Sequence, residues 1–404
     1  MSKIKVKVGN DIGNSEHDII INNVLSCQPN VFSRVNSLPT LIDEIEPQSI
    51  IKNIDYNLIT EIYSDVVQKG IYYSGYYALK SGKPLHNIEV GAINNKIDSD
   101  VIVINTLSQI AAYATKVFYK NDPALEGTFD VNVDMAISLP VNQYNRTNCK
   151  KIVDLFTKKH TVNVFLGSIK SHIVINFDFI KVMPESVPVI FALQQKKQGD
   201  EIFGEFNSLY NIDVDGSYFK DKKILHVSVG EGTTEYPITN DIQFNVEFIN
   251  GSNNGVGHAI EAAIPSFMND VNLRTFSRQS YSDILKDPTH KYYEKAIKWM
   301  EVPLESEASS ILKFVKSEVE RANNDIDIIC VHGGGSITLK KFLQNKILSL
   351  SETTKIKLFY IPNKYAVTLE AEGLYQFAKS DIFEALKSKF ANKQQEKFKV
   401  VKPS

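Results

Sequence analysis

Two turns in this chain set glycine beside acidic and hydroxyl side chains: Gly9-Asn10-Asp11-Ile12-Gly13-Asn14 and Val229-Gly230-Glu231-Gly232-Thr233-Thr234. Glycine lets a backbone approach a bulky anion closely, and turn amides with the Thr233 and Thr234 hydroxyls are donors that phosphate oxygens accept from. Asp11 is the ligand type that holds hydrated magnesium. Met183-Pro184-Glu185-Ser186 ends an alternating apolar run, so Glu185 stands at a strand end where it can orient a water. Gly333-Gly334-Gly335 offers a backbone without side chains, on which a flat ring can lie. Transfer of a phosphoryl group from a nucleotide needs these four things: backbone donors, a metal-holding carboxylate, a group to aim the attacking water, and a pocket for the base.

Each segment also has an ordinary reading. Gly-x-Gly turns close hairpins, aspartate caps its own turn, glutamate is favoured near helix N-termini, and threonine suits strands. A glycine run between strand and helix is common in α/β folds. The combination, rather than any one member, carries the chemistry. No Walker lysine and no Gly-x-Gly-x-x-Gly fingerprint is present, which removes the two commonest other phosphate-binding designs. His226 and His332 stand alone beside strands and read as structural.

The elements that must position these residues follow from period. Ile4, Val6 and Val8 alternate with lysines, and an apolar strand resumes from Asp18 to Ile21, which predicts a hairpin with Asp11 at its tip. Lys223 to Val229 is a strand, with a second running on from the turn to Ile238. Val131 to Leu139 ends at Pro140. His172 to Met183 alternates, with Ile173, Ile175, Phe177 and Phe179 on one face, and a helix follows to about Gln195. Asp98, Ser99 or Asp100 caps a helix whose core face carries Val103, Leu107, Ile110, Ala114 and Val117. Lys150 to Lys158 is helical, residues 198–221 form a surface loop or small insertion, and Phe244 to Ile249 is a strand. Residues 250–257 feed a helix containing Pro265. Leu304 to Ala322 is an amphipathic helix. Asp325 to Val331 is a buried strand leading into the triple glycine and a helix through Leu339 and Ile347. Ile356 to Ile361 is the last strand, helices follow at 368–378 and 381–391, and a lysine-rich frayed tail begins at Asn392. A strand, a glycine turn and a strand open each half, with strands and helices alternating after. That is the layout of two related α/β domains around a cleft.

Taken in order, these segments resemble the actin, sugar-kinase and heat-shock-chaperone superfamily of ATPases, and within it the plasmid-segregation actins of the ParM type. Asp11-Ile12-Gly13-Asn14 resembles the first phosphate loop, Gly230-Glu231-Gly232-Thr233-Thr234 the second, and Val331-His332-Gly333-Gly334-Gly335 the adenosine motif. Lys181-Val182-Met183-Pro184-Glu185-Ser186-Val187-Pro188 is the most specific match, similar to the segment that supplies the water-orienting glutamate. Ile137-Ser138-Leu139-Pro140-Val141-Asn142-Gln143-Tyr144 resembles the strand end before it, and Glu372-Gly373-Leu374-Tyr375 the closing helix. Residues 24–100 and 198–221 are not covered.

The resemblance implies an α/β, actin-like two-domain fold with a nucleotide cleft between the domains. Residues 1–184 plus 365–404 would form domain I and 185–364 domain II. It implies Glu185 and Asp11 as catalytic residues, with Asp11 also the magnesium carboxylate. Gly13, Asn14, Gly230, Glu231, Gly232, Thr233, Thr234, Gly333, Gly334, Gly335 and Ser336 would bind the nucleotide, ATP or GTP. The implied activity is nucleotide hydrolysis coupled to polymerisation. The implied partners are further copies of the chain in a filament and a DNA-bound adaptor of the ParR type at a centromere-like site, for plasmid segregation. The chain departs from the pattern once: the family places an aspartate two residues before the first glycine of the second loop, and here that residue is Ser228. A serine does not hold a magnesium-bound water as a carboxylate does. Glu231 within the loop is the nearest substitute, and Glu235 is the acidic residue after the threonines.

Composition bounds the rest. The chain has 404 residues, 43% hydrophobic and 23% charged, enough for two ordinary domains. A net charge of −2 argues against a direct electrostatic grip on nucleic acid. The most apolar window, Val101 to Phe118, is interrupted by Asn105, Ser108 and Gln109, so no membrane span is expected. Cys27, Cys149 and Cys330 are far apart and form no metal or disulfide pattern, and the N-terminus has no signal-peptide core, so a cytoplasmic location is expected. Two other functions share these motifs. A sugar-kinase-like phosphotransferase would need a catalytic aspartate beside a sugar pocket, and no motif supplies one. A non-hydrolysing cytoskeletal scaffold follows if Ser228 has ended turnover.

Overall fold

The computed structural model describes residues 2–40, 42–88 and 96–400. Two mixed sheets organise them. The first contains β1 (Ser2–Ile12), β2 (Glu16–Ile21), β3 (Val24–Pro29), β4 (Val31–Val35), β5 (Ile59–Ser64), β6 (Gly70–Ser74), β7 (His86–Asn87), β8 (Thr128–Leu139), β9 (His160–Leu166) and β10 (Ile169–Pro184). Their order is β3-β2-β1-β8-β10-β9-β5-β6-β4-β7. β1, β8 and β10 run parallel at its centre, while β2 turns back antiparallel on β1. The second sheet contains β11 (Lys223–Val229), β12 (Thr234–Glu235), β13 (Ile238–Asn240), β14 (Gln243–Phe244), β15 (Gly251–Ser252), β16 (Ile328–His332) and β17 (Lys357–Tyr360). β11, β16 and β17 are its parallel centre, and β12 and β13 return antiparallel on β11. Both sheets thus combine a glycine-turn hairpin with two further parallel strands, the repeat expected from sequence.

The helices are α1 (Pro47–Lys52), α2 (Tyr76–Lys80), α3 (Asp100–Tyr119), α4 (Arg146–Phe156), α5 (Val189–Leu193), α6 (Gly204–Tyr210), α7 (Val256–Val271), α8 (Arg278–Lys286), α9 (Tyr293–Arg321), α10 (Gly334–Thr354), α11 (Asn363–Ala366), α12 (Leu369–Lys379) and α13 (Asp381–Val400). α3 covers one face of the first sheet with Leu107, Ile110 and Ala114, and its N-cap is Ser99, whose side chain accepts from the Val101 amide. Val117 is only half-buried. α3 is long and apolar enough to cross a membrane by length and composition, yet most of it is buried in the protein. Several of its polar residues find partners there. Asn105 donates to Asn30 at 2.9 Å, Thr106 accepts from Asn10 at 3.0 Å, and Ser108 meets Thr60 at 3.0 Å. α7, α9 and α10 cover the second sheet around Ile260, Ile311 and Leu343.

A third core joins the two sheets. It gathers Ala136 and Met183 from the first sheet, Ile224, Cys330 and Phe359 from the second, and Leu369, Leu374 and Phe377 of α12. α12 seats here backbone to backbone. A Cβ on Gly9 would lie 2.3 Å from the Tyr375 nitrogen, and one on Gly373 would lie 2.0 Å from the Pro188 oxygen.

Several expectations change. Residues 198–221 are not an exposed surface loop: Ile202, Phe203, Phe206 and Phe219 are fully buried in this third core, apolar residues that a reading of the polar ones overlooks. A bulge between Phe177 and Phe179 flips the face of β10, so Ile173 and Ile175 face α3 while Phe179 packs against Phe383 of α13. The strand expected at 244–249 stops at Phe244 and becomes a 3-10 turn at Val246–Phe248, capped by the Asn245 side chain. α9 begins at Tyr293, and Pro303 lies inside it. The tail does not fray at Asn392, since α13 runs to Val400.

Gly373→Ala is expected to destabilise the chain by about 2 kcal/mol, the order of an overpacked core, because backbone blocks the added methyl. Urea unfolding should show a lower midpoint with an unchanged slope.

Candidate active site

Between the sheets lies a cleft of about 560 Å³, within the range of small-molecule and cofactor sites. The parallel strands of both sheets end at it, as ligand sites in α/β folds do. Asp11, Gly13, Asn14 and Glu185 line it from the first sheet, and Gly230, Glu231, Gly232 and Thr233 from the second, with Gly333, Gly334 and Gly335 beside them.

The first turn is tighter than expected. β1 continues through Ile12, and the chain reverses over residues 13–15. Asp11 is therefore not at the tip but inside β1, paired across the hairpin with Asp18. Asn30 donates to the Gly13 oxygen at 2.6 Å, and Asn105 of α3 in turn holds Asn30. The polar residues of α3 thus brace this turn.

The second turn is closed by the Gly230 amide donating to the Thr233 oxygen at 2.9 Å. The strand expected to run on to Ile238 breaks at Tyr236–Pro237, because proline has no N–H for the ladder. Helix α7 begins against the turn: the Gly257 amide donates to the Glu231 oxygen at 2.8 Å, and a Cβ on Gly255 would lie 2.3 Å from that oxygen. Gly255 and Gly257 are thus packing glycines of this turn. The triple glycine leans on it from the other side. Gly333 has φ +88°, and a Cβ there would meet the Val229 oxygen at 2.5 Å, while one on Gly335 would meet the Gly230 oxygen at 2.6 Å. At Gly334 a Cβ would meet only the Val367 side chain, at 3.8 Å, so the first and third glycines serve packing while the second lines the cleft without crowding it.

Three sequence-predicted site residues have other duties. Thr234 is buried and donates to the Asn254 oxygen at 2.8 Å. Ser336 is buried and donates to the Gly333 oxygen at 2.7 Å, capping its own turn. Glu231 lines the cleft, but its carboxylate accepts from Arg278 at 2.8 Å and so is not a free replacement for the absent aspartate at Ser228. Ser228 itself lines the cleft and pairs across strands with Glu235.

Glu185 is placed by three contacts. Its amide donates to the Leu139 oxygen at 2.8 Å, tying the ends of β8 and β10. The next residue, Ser186, has φ 73° and donates its amide to both carboxylate oxygens of Glu370 on α12 at 3.1 Å. Lys96, just before α3, donates to Glu185 Oε1 at 2.8 Å. Sequence reasoning missed Lys96, Arg278 and Glu370. The segment around Lys96 has no periodic pattern, and Glu370 lies two residues before the segment that carried the resemblance.

The cleft concentrates negative charge. Burial, then the facing Asp18, pushes Asp11 up to about 8. Burial raises Asp18 to about 7. Burial, then Glu185, raises Glu235 to about 8, and both its oxygens lack a hydrogen-bond partner. Glu370 stands well above the usual range through burial, then Asp11 and Glu185. His332 at the cleft wall is held well below its ordinary value by burial and by His226, and so is neutral, as its structural reading requires.

These residues suit a nucleotide. Two turns with close backbone approach face each other, a bare glycine backs a ring-sized space, and the unpartnered Glu235 oxygens call for a proton, a water or a cation. Among the described residues no group of three His, Cys, Asp or Glu is arranged to hold a metal.

No protein-family profile matches the chain, and no curated protein matches it in sequence. Solved structures do match. The apo ParM protein of pSK41 is 16% identical with a TM-score of 0.55, over 95% of this chain and 98% of that one. ParM of Bacillus thuringiensis with ATP is 14% identical with a TM-score of 0.61, over 95% and 99%. An archaeal actin homologue in complex with ADP is 16% identical with a TM-score of 0.60, over 93% and 99%. The fold is actin-like. In such a fold the opposed hairpins and the cleft between them are the same feature seen twice, once from each sheet.

The raised carboxylates set a pH dependence. Unfolded, they release their protons near pH 4, whereas Asp11 and Glu235 keep theirs to about 8 in the fold. The native state therefore binds more protons over that interval, and stability falls as pH rises from about 4 to about 8. The buried histidines are neutral in both states above their ordinary 6.5. The melting temperature of the nucleotide-free chain should fall between pH 6.5 and 8 and flatten beyond. Glu235→Gln, which carries no such proton, should fall less over the same interval.

Proposed function

We propose that this chain is a nucleotide-dependent, filament-forming actin homologue that segregates plasmid DNA in the cytoplasm, hydrolysing ATP or GTP with magnesium. The observation that supports it best is the pair of opposed glycine turns lining one cleft, with Glu185 at the end of β10 between them. The domains are proposed as residues 1–184 with 365–404, and residues 185–364.

In this reading the amides at Gly13, Asn14 and Glu231 to Thr233 hold the phosphates, while the Gly230 amide keeps the second turn closed. Gly334 backs the base, and Asp11 is the carboxylate that would hold a hydrated magnesium, which would supply counter-charge to the phosphates. The nucleotide supplies the phosphoanhydride to be cleaved. Glu185 accepts a hydrogen bond from the attacking water and aims it, while the cleft walls exclude bulk solvent. Lys286 of α8 meets Glu16 of the first hairpin at 2.7 Å across the cleft mouth, a contact that favours the two sheets drawing together. A subunit so closed presents its two ends to the next copy in a head-to-tail contact that builds a filament rather than a ring. DNA is held indirectly, through an adaptor bound at a centromere-like site, where many adaptor copies make the attachment multivalent.

A second reading, a filament scaffold that does not hydrolyse, is favoured by Ser228 together with the Glu231–Arg278 pair, which leaves the second loop without a free carboxylate. Light scattering with parallel phosphate release separates the two. Assembly followed by phosphate release and disassembly supports the first, assembly without release supports the second, and no assembly with nucleotide overturns both. Glu185→Ala should still bind nucleotide, release phosphate about 100-fold more slowly, the order of a lost general base, and form longer-lived filaments. Filaments that turn over at the wild-type rate would remove Glu185 from this role.

A further inference from the structure

Lys96 is 4% exposed, and its ammonium donates to Glu185 Oε1 at 2.8 Å. A lysine carries three N–H donors. Among the described residues Glu185 is the only acceptor that Lys96 meets, so two donors remain at the wall of the cleft. Leaving them without an acceptor is unfavourable. The other cations at the cleft are committed elsewhere. Arg278 is shared between Glu231 at 2.8 Å and Glu261 at 3.1 Å, and Lys286 is half-exposed on Glu16. The surroundings of Lys96 are otherwise acidic: its charge acts on both Asp11 and Glu235. Among the described residues, a polyphosphate entering this cleft meets a floor of carboxylates and one buried cation, Lys96, whose single acceptor is Glu185.

We infer that Lys96 reads the terminal phosphate of a bound nucleoside triphosphate, donating to it while its remaining hydrogen bond keeps Glu185 aimed. The inference rests on the proposed nucleotide site and on the proposed role of Glu185. If Glu185 aims a water at the terminal phosphorus, then a group 2.8 Å from Glu185 is within reach of that phosphate's oxygens. A diphosphate lacks this group, and Lys96 then has only Glu185. The lysine so distinguishes tri- from diphosphate. It also opens the 3-10 turn Lys96–Asp98, which runs directly into the Ser99 cap of α3. Because α3 braces the first turn through Asn105 and Asn30, loss of the terminal phosphate is felt at the element that supports the opposite side of the site.

The test is calorimetric titration of the full chain, below its assembly concentration and with magnesium, using ADP and the non-hydrolysable imido analogue of ATP. Lys96→Met should weaken the analogue by about tenfold or more, the value of one charge-assisted hydrogen bond, and leave ADP within about twofold. Lys96→Arg should recover part of the loss. Glu185→Gln releases the ammonium from its competing carboxylate and should tighten the analogue relative to ADP. It decides the matter if Lys96→Met does not fold. Equal changes for both nucleotides in Lys96→Met, or an unchanged ratio in Glu185→Gln, overturn this inference alone. A wild-type chain that binds neither nucleotide overturns the proposed function with it.

Discussion

The contact on which the rest depends is the seat of α12. Gly9 of β1 and Gly373 of α12 bring backbone against backbone at two points, and no side chain fits at either. Between them, Glu370 accepts the Ser186 amide with both carboxylate oxygens. One helix thereby fixes the end of β1, which carries Asp11, and the end of β10, which carries Glu185. The same helix supplies Leu374 and Phe377 to the core that joins the sheets. The spacing of the two proposed catalytic carboxylates is therefore set by main-chain packing, which is far stiffer than a contact between flexible side chains.

This seat concentrates charge. Asp11, Asp18, Glu235 and Glu370 are buried where apolar packing excludes water, and their raised affinities for protons are the direct result. Burial of a carboxylate without a partner is costly, and a proton is the cheapest remedy when no cation is at hand. A site that holds protons at neutral pH is primed to exchange them for a better counter-charge. Lys96 already provides one such charge, placed beside Glu185 rather than beside the more buried carboxylates.

Much of this was legible in sequence. Both glycine turns, Glu185 at its strand end and the triple glycine were readable, because turns and strand ends announce themselves locally through glycine, proline and period. The sheets followed from the same signals. What was not legible is what arises between elements. The partner of Asp11 is set by the register of a hairpin that is two residues tighter than the glycines suggest. Lys96 is separated from Glu185 by 89 positions, with no pattern to connect them. Residues 198–221 read as a loop because their polar residues and glycines dominate the string, while four aromatic or aliphatic side chains carry the packing. The bulge in β10 left no trace in alternation, since Phe177 and Phe179 keep the period while the strand changes face. Thr234 and Ser336 show the converse: residues within a readable motif whose side chains complete the loop rather than the ligand site.

Ser228 shows how such context changes a motif's meaning. In isolation it is a missing carboxylate in the second loop, and the sequence offers Glu231 as the replacement. The fold ties Glu231 to Arg278 and instead sets Glu235 directly across from Ser228 on β12, with His332 in register on its other side. Residues opposite each other on adjacent strands share a face of the sheet. The carboxyl group absent from β11 is thus present one strand over, buried and without a hydrogen-bond partner. An aspartate at 228 would stand between the raised Glu235 and the neutral His332, adding a buried carboxyl with no counter-charge beside it. The small hydroxyl is what that neighbourhood admits, so the residue at 228 is fitted to Glu235 across the ladder.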